Sequence, residues 1–447
     1  MEIDKTTYQD LSIFHADEES SLFHHLNFTR TSIGEAELKR IFLHPLKSFE
    51  QIHNVQQIVQ FIYQHIDQWD HQVTNGTIVM IEEYLNARID ADKPANNPIS
   101  RLFQHLWFHT LRKSDYSYLC FALSHVADLM RGCTYLVQLL LKPSAPRELA
   151  AILQSMQQIL SLSEASAFDH SFHSHTSISV VLRAHQIAKR YFRPRLQELI
   201  RLYAHLDAWY AMAKAMKTYD FVMPTFTSHQ APFLRVSGIF HPLLKQPVRN
   251  DLQLSREQNF LFLTGANMAG KSTLIKAVGI AVFLAHMGMG VPARDMELSL
   301  FDGLLTNIHV DDDIIHGKSY FYNEVHRIKN TIEKIQDRKH WLVLIDELFK
   351  GTNVDDARNC SVAVIRGLSS VRSSLFILST HLYEIAEQLK SQNNIQFRYF
   401  EVQMQAGKFQ FNYQLREGIS QDRLGYLILK EEQVLDLLRA LQQTEIG

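Results

Sequence analysis

The chain has 447 residues, 46% hydrophobic and 21% charged, an ordinary globular composition that is longer than one hydrophobic core usually spans, so two or three domains are expected. Its 45 Lys and Arg are balanced by 47 Asp and Glu, so no global cationic excess advertises nucleic acid, although a local basic face is compatible with this balance. Cys120, Cys133 and Cys360 form no C-x-x-C pair, which argues against a disulfide framework or thiolate zinc site, and no apolar run reaches the ~18 residues of a membrane span; a cytoplasmic protein is expected.

Up to about residue 217 the apolar residues recur at helical steps of three and four. In QQIVQFIYQHIDQW, Ile58, Ile62, Ile66 and Trp69 share one face. In RPRLQELIRLYAHLDAWYAMAKAM, residues Leu196, Leu199, Tyr203, Leu206, Tyr210 and Ala213 make a seam of about three heptads, roughly 30 Å long. Such a seam is either a buried packing stripe or a lever arm. Between these stretches lie His170, His173 and His175; their Ser-rich surroundings favour an exposed loop over a metal site.

The texture changes near MPTFTSHQAP (223–232), which sets the expected domains at 1–225 and 226–447. Beyond it, short apolar runs alternate with helical patterns, as in a sheet with crossover helices. NFLFLTG (259–265), HWLVLIDE (340–347) and SLFILST (374–380) each read as a buried strand. Late in the chain FRYFEVQM and KFQFNYQL alternate around Gln405-Ala406-Gly407, the pattern of a hairpin with Phe409, Phe411 and Tyr413 on one face.

The stretch TGANMAGKST follows the first of those strands and precedes a helical run. Gly265, four residues, then Gly270-Lys271-Ser272 is the phosphate-loop spacing: small residues let backbone N–H groups wrap phosphates, and the lysine brings a charge to the β and γ groups. The loop covers Gly265, Ala266, Asn267, Met268, Ala269, Gly270, Lys271, Ser272 and Thr273. Hydrolysis also needs a magnesium ligand and a group that orients water. Asp346 and Glu347 end the second strand, so Ser272 and Asp346 are expected to hold Mg²⁺, directly or through water, with Glu347 polarising the attacking water. His381 ends the third strand, where a histidine could reach the γ-phosphate of ATP. Asp311, Asp312 and Asp313 read equally as a metal site or a charged turn.

Taken together these segments resemble the MutS-type DNA mismatch-repair ATPases, an ABC-like branch of the phosphate-loop proteins. TGANMAGKST is close to that family's TGPNMGGKST; HPLL (241–244), Asn250-Asp251, Val291-Pro292-Ala293, DDDIIHGKSYFYNEV, LIDELFKGTN, STHLYEIA and REGISQDRLGYLIL resemble family segments in the same order. SIFHADEESSLFHHLNFTRTSIGEAELKRIFLHPLKSFEQI, with Thr31, Gly34, Leu38 and Pro45, is similar to the start of the family's helical core. The resemblance implies a multidomain α plus α/β protein. A helical core/lever domain, with its clamp reduced or absent, would precede an ABC-like ATPase domain with a mostly parallel sheet, a late β-hairpin and C-terminal dimerisation helices. Starting near residue 10, it also implies a short form without the mismatch-recognition and connector domains.

By the same resemblance the protein is an ATP- and Mg²⁺-dependent ATPase acting as a homodimer through its ATPase domains. Gly317, Ser319 and Glu324 would approach the partner's γ-phosphate, with Ser319 acting in trans. DNA is the implied ligand and a further repair protein an implied partner; Val248 stands where the family often has an adenine-stacking aromatic. The alternative is an ABC-like regulatory or adaptor ATPase that acts on a protein and touches no DNA, which the balanced charge favours. Membrane transport fits less well, because no LSGGQ-type signature is present.

Overall fold

The computed structural model describes residues 1–69, 72–87, 113–227, 231–308, 320–405 and 408–420, together with Gln433, Val434 and Leu437. In chain order the first half holds β1 (Glu2–Ile3) and helices α1 (Lys5–Asp10), α2 (Leu22–Leu26), α3 (Ser32–Leu43), α4 (Phe49–His65), α5 (Asn75–Asn86), α6 (Lys113–Leu140), α7 (Arg147–Leu160), α8 (Ile178–Gln186) and α9 (Arg193–Tyr219). The second half holds β2 (Thr225–Phe226), β3 (Leu234–Ile239), β4 (Asn250–Leu254), β5 (Phe260–Thr264), α10 (Lys271–Ala285), β6 (Asp295–Leu298), β7 (Gly303–Asn307), α11 (Tyr320–Ile335), β8 (Trp341–Asp346), α12 (Val354–Ser369), β9 (Leu375–Ser379), α13 (Glu384–Leu389), β10 (Ile395–Gln405) and β11 (Lys408–Glu417). No described helix is long and apolar enough to cross a membrane.

The chain forms two compact units, and their division differs from a single cut at 225/226. Leu26–His44 and His53–Thr218 make the helical unit, whereas Met1–His25 and Pro45–Ile52 join Tyr219–Gly447. The physical reason is local pairing. β1 adds as a parallel strand to β7, and α1 follows it: Thr7 Oγ1 accepts from Thr306 N (3.2 Å), and the buried Asp10 carboxylate accepts from Thr306 Oγ1 (2.7 Å) and Ile308 N (3.0 Å). A helical period alone cannot tell which core a short helix joins.

Within the helical unit, Ile58, Ile62, Ile66 and Trp69 are buried, and Trp69 stacks on Tyr210 at 4.7 Å. The seam residues on α9 are all buried, but so are Ala208, Ala211 and Met212 on its other sides. Arg195, Gln197 and Arg201 face solvent in its first half, whereas from Leu202 to Met216 nearly every residue is buried, a burial that favours the packing-stripe reading. The fully buried Asp207 of α9 is satisfied by Arg30 N (2.9 Å), Thr31 N (3.0 Å) and Thr31 Oγ1 (2.6 Å). A Cβ on Gly34 would overlap that carboxylate, which explains the Thr31-x-x-Gly34 spacing.

The other unit is built on a seven-stranded sheet in the order β1-β7-β8-β9-β5-β10-β11. Its pairs are parallel except the β10–β11 hairpin. The three runs read as buried strands are β5, β8 and β9, and every residue of each is buried, as expected of central strands covered by helices on both faces. A second sheet, β2-β6-β3-β4, carries the strands on either side of the HPLL segment. Val291-Pro292-Ala293 ties to this region through Val222 and through Phe240 N on Pro292 O (3.1 Å).

Candidate active site

Strand order brings the motifs together. β8, β9 and β5 are neighbours with Asp346 opposite Ser379 and Ser379 opposite Leu263, so their carboxyl ends finish at one level. This is where open parallel sheets bind ligands. β5 runs into the phosphate loop, β8 ends in Asp346-Glu347 and β9 leads to Thr380-His381. A cavity of about 670 Å³ opens there, lined by loop residues, Asp346, Glu347 and Lys350 and also by Val248, Asn250 and Tyr413.

The loop's backbone is unusual where the spacing predicts it. Gly265 (φ +135°) and Gly270 (φ +103°) adopt values that L side chains rarely take, and Met268 lies at φ +68° with 76% of its surface exposed. Gly270 also caps α10. The Lys271 side chain is buried and donates to Gly265 O (2.7 Å) and Ala266 O (2.9 Å). Burial lowers its pKa, while Glu347 and Asp346 pull it back up. The ammonium is thus held on the loop's own carbonyls beside the N-terminus of α10, a setting that suits a polyphosphate.

Asp346 accepts a hydrogen bond from Ser379 Oγ, which fixes its carboxylate at the strand end. Glu347 stands at φ +65° and donates its own N–H to Ser379 O (3.0 Å). Its carboxylate is paired with Lys350 Nζ at 3.0 Å and His381 Nδ1 at 3.3 Å. Burial alone would raise the Glu347 pKa, but the His381 hydrogen bond and the Lys350 charge outweigh it and hold it at about 2. The group is therefore a carboxylate throughout the physiological range. Ser272, exposed at the start of α10, and Asp346 line the same cavity; a hydroxyl and a carboxylate are the hard oxygen donors that suit Mg²⁺.

One expectation changes. Glu324 does not present itself outward: it is 5% exposed, and its two oxygens accept from Lys350 N (2.9 Å) and Gly351 N (3.1 Å) of the same chain. Val248 lines the cavity together with two aromatics, Tyr413 and Phe400, whose rings lie close to Gly270 of the phosphate loop. Tyr413 stacks on Phe411, in keeping with the shared face expected of them. Asn250 joins β4 to β11 by donating to Tyr413 O (3.1 Å) and accepting from Leu415 N (2.8 Å). Asp251 accepts from Gly238 N (2.6 Å) and Ser237 Oγ (3.0 Å). Sequence offered Asn250-Asp251 only as a matching dipeptide; the partners lie over 160 residues away for Asn250 and 13 or 14 away for Asp251. Gly317, Ser319 and Asp311 to Asp313 lie outside the described residues, as does the side chain of Phe409. His170, His173 and His175 are exposed in an irregular segment.

A phosphate loop on β5, an acidic pair ending β8 and a histidine after β9, on one mostly parallel sheet, define an ATPase domain of the ABC type. Comparison with known proteins gives the family: residues 261–436 match the model of MutS domain V and residues 6–316 that of MutS domain III, so the chain belongs to the MutS family. It is 32% identical over 195 residues to the DNA mismatch repair protein MutS of Petrotoga mobilis, covering 43% of this chain and 24% of that protein. It is 29% identical over 263 residues to the protein of the same name from Pseudothermotoga lettingae, covering 56% and 32%. For that of Oceanobacillus iheyensis the figures are 27% over 243 residues, 53% and 28%. The matches thus span about a quarter to a third of the length of these curated relatives.

Proposed function

We propose that this protein hydrolyses ATP with Mg²⁺ in the cavity at the end of β5, β8 and β9, and that it works as a nucleotide-gated homodimer that engages DNA. The observation that carries the hydrolytic part is the grouping of Lys271, Asp346 and Glu347 around one cavity, with His381 paired to Glu347. Incoming phosphates replace the carbonyls of Gly265 and Ala266 as partners of the Lys271 ammonium. Ser272 and Asp346 hold Mg²⁺, which when bound neutralises charge on the β- and γ-phosphates. Glu347, held ionised by His381 and Lys350, accepts a hydrogen bond from the attacking water and orients it. His381 keeps one ring nitrogen on Glu347 and uses the other to contact the γ-phosphate. The base of ATP lies toward Val248 and Tyr413.

Ser319 of a second copy completes the site in this proposal, so the γ-phosphate bridges two chains and its loss loosens them. The DNA part rests on the relatives, each a DNA mismatch repair protein by name. Sedimentation of the Glu347→Gln variant with Mg-ATP tests the dimer; a protein that stays monomeric contradicts it. A panel of duplex, mismatched, branched and single-stranded DNA plus RNA at stated salt tests the ligand. The balanced charge of 45 basic and 47 acidic residues favours a second reading, an adaptor ATPase acting on a protein. A blank panel with a nuclease-resistant protein partner selects that reading.

A further inference from the structure

The loop that leaves β8 is held in an uncommon shape. Glu347 (φ +65°) and Phe349 (φ +59°) both occupy the left-handed region without being glycine, a conformation that persists only where neighbouring groups enforce it. Lys350 and Gly351 follow, and their two N–H groups point at one buried carboxylate, that of Glu324 on α11. The approach is close: a Cβ on Gly351 would come within 2.7 Å of Phe321 N and of the Tyr320 ring. Gly351 therefore admits the first turn of α11, and Glu324 clamps the loop there. Lys350 in turn holds Glu347 Oε2 at 3.0 Å.

We infer that Glu324 is a positioning residue for hydrolysis, acting on Glu347 through the backbone of Lys350 and Gly351. The carboxylate has the geometry for this task. Its two oxygens take one amide each, charge-assisted bonds that a neutral side chain cannot reproduce on both sides. Lys350 has its backbone fixed by Glu324 and its ammonium on Glu347, so the angle at which Glu347 meets water is set by a residue that never touches nucleotide. The inference rests on the reading of Glu347 as the group that orients water.

The test compares wild type with Glu324→Gln, Lys350→Met and the double variant in the full chain. Glu324→Gln is expected to lower the single-turnover rate of ATP hydrolysis by about 10-fold or more, with ATP affinity within about twofold. Amide exchange at Lys350 and Gly351 should accelerate while that of β8 stays unchanged. Lys350→Met should lower the rate without freeing those amides, and the double variant should fall little below the worse single one, because both act on the same carboxylate. Glu324→Asp, which keeps the charge at shorter reach, replaces the Gln variant if the latter does not fold, with the same expectations. An unchanged rate, unchanged exchange, or parallel loss of ATP affinity and β8 protection overturns the inference. If wild type binds ATP but never hydrolyses it, the hydrolytic reading fails along with the catalytic role assigned to Glu324; the exchange comparison still decides whether Glu324 holds the loop.

Discussion

Asn250 offers a way to test how the base end of the cavity is built. Its amide bridges two sheets: Oδ1 accepts from Leu415 N at 2.8 Å and Nδ2 donates to Tyr413 O at 3.1 Å. Asn250→Asp keeps size and the first bond but replaces the donor by a second anionic oxygen facing the Tyr413 carbonyl. Losing that bond costs about 1 kcal/mol, and an acceptor set against an acceptor adds about as much again. If the strain moves β11, the Tyr413 ring leaves its place in the cavity wall. About 2 kcal/mol corresponds to an affinity loss of roughly 30-fold. Calorimetric titration with Mg-ATP measures it, and inorganic tripolyphosphate, which lacks the base and ribose, is the control. The expectation is a loss for ATP and little change for tripolyphosphate. ATP affinity within twofold of wild type, or an equal loss for both ligands, refutes the assignment of Asn250 and Tyr413 to the base.

Other predictions concern the phosphate end and the core. Lys271→Ala should weaken ATP and tripolyphosphate together, by about 100-fold for a charge-assisted contact in a partly desolvated site, which calorimetry checks; sparing of either ligand contradicts the stored-ammonium picture. His286 is fully buried and Leu46 O and Phe301 N bracket its ring at 3.4 and 3.3 Å. Burial, reinforced by the N-terminal ammonium, keeps its pKa at about 3. The folded state then refuses a proton that the unfolded chain accepts below about 6.5, so stability present above that pH falls as pH drops toward 3. At pH 5 the loss is about 2 kcal/mol, 1.5 pH units at 1.36 kcal/mol each. Amide exchange in Phe260–Thr264 measures it, and His286→Gln should flatten the slope between pH 6.5 and 5; an unchanged slope places the acid sensitivity elsewhere.

Much of the site was legible in the sequence because its chemistry is local. A loop of fixed spacing and carboxylates at the end of an apolar run are features of consecutive residues, and β5, β8 and β9 follow from uninterrupted buried runs. What escaped depends on long-range pairing. No period shows that Glu2 and Ile3 add a strand to β7, or that Asp10 caps that strand's far end. The hairpin was readable from alternation, yet the irregularity between Phe400 and Val402 and the positive φ of Tyr413 are tertiary. Glu324 was placed by its neighbours in sequence, which put it with Ser319; its inward turn depends on Lys350 N and Gly351 N, 26 and 27 residues further on.

The central claim is that Glu347 orients the water that cleaves ATP in this cavity. Single-turnover hydrolysis of radiolabelled ATP by wild type and by Glu347→Gln, with binding measured separately, tests it most directly. The account predicts retained ATP binding and a rate lowered by about 100-fold or more. Equal rates in the two proteins, or a wild type that binds no ATP, would contradict it.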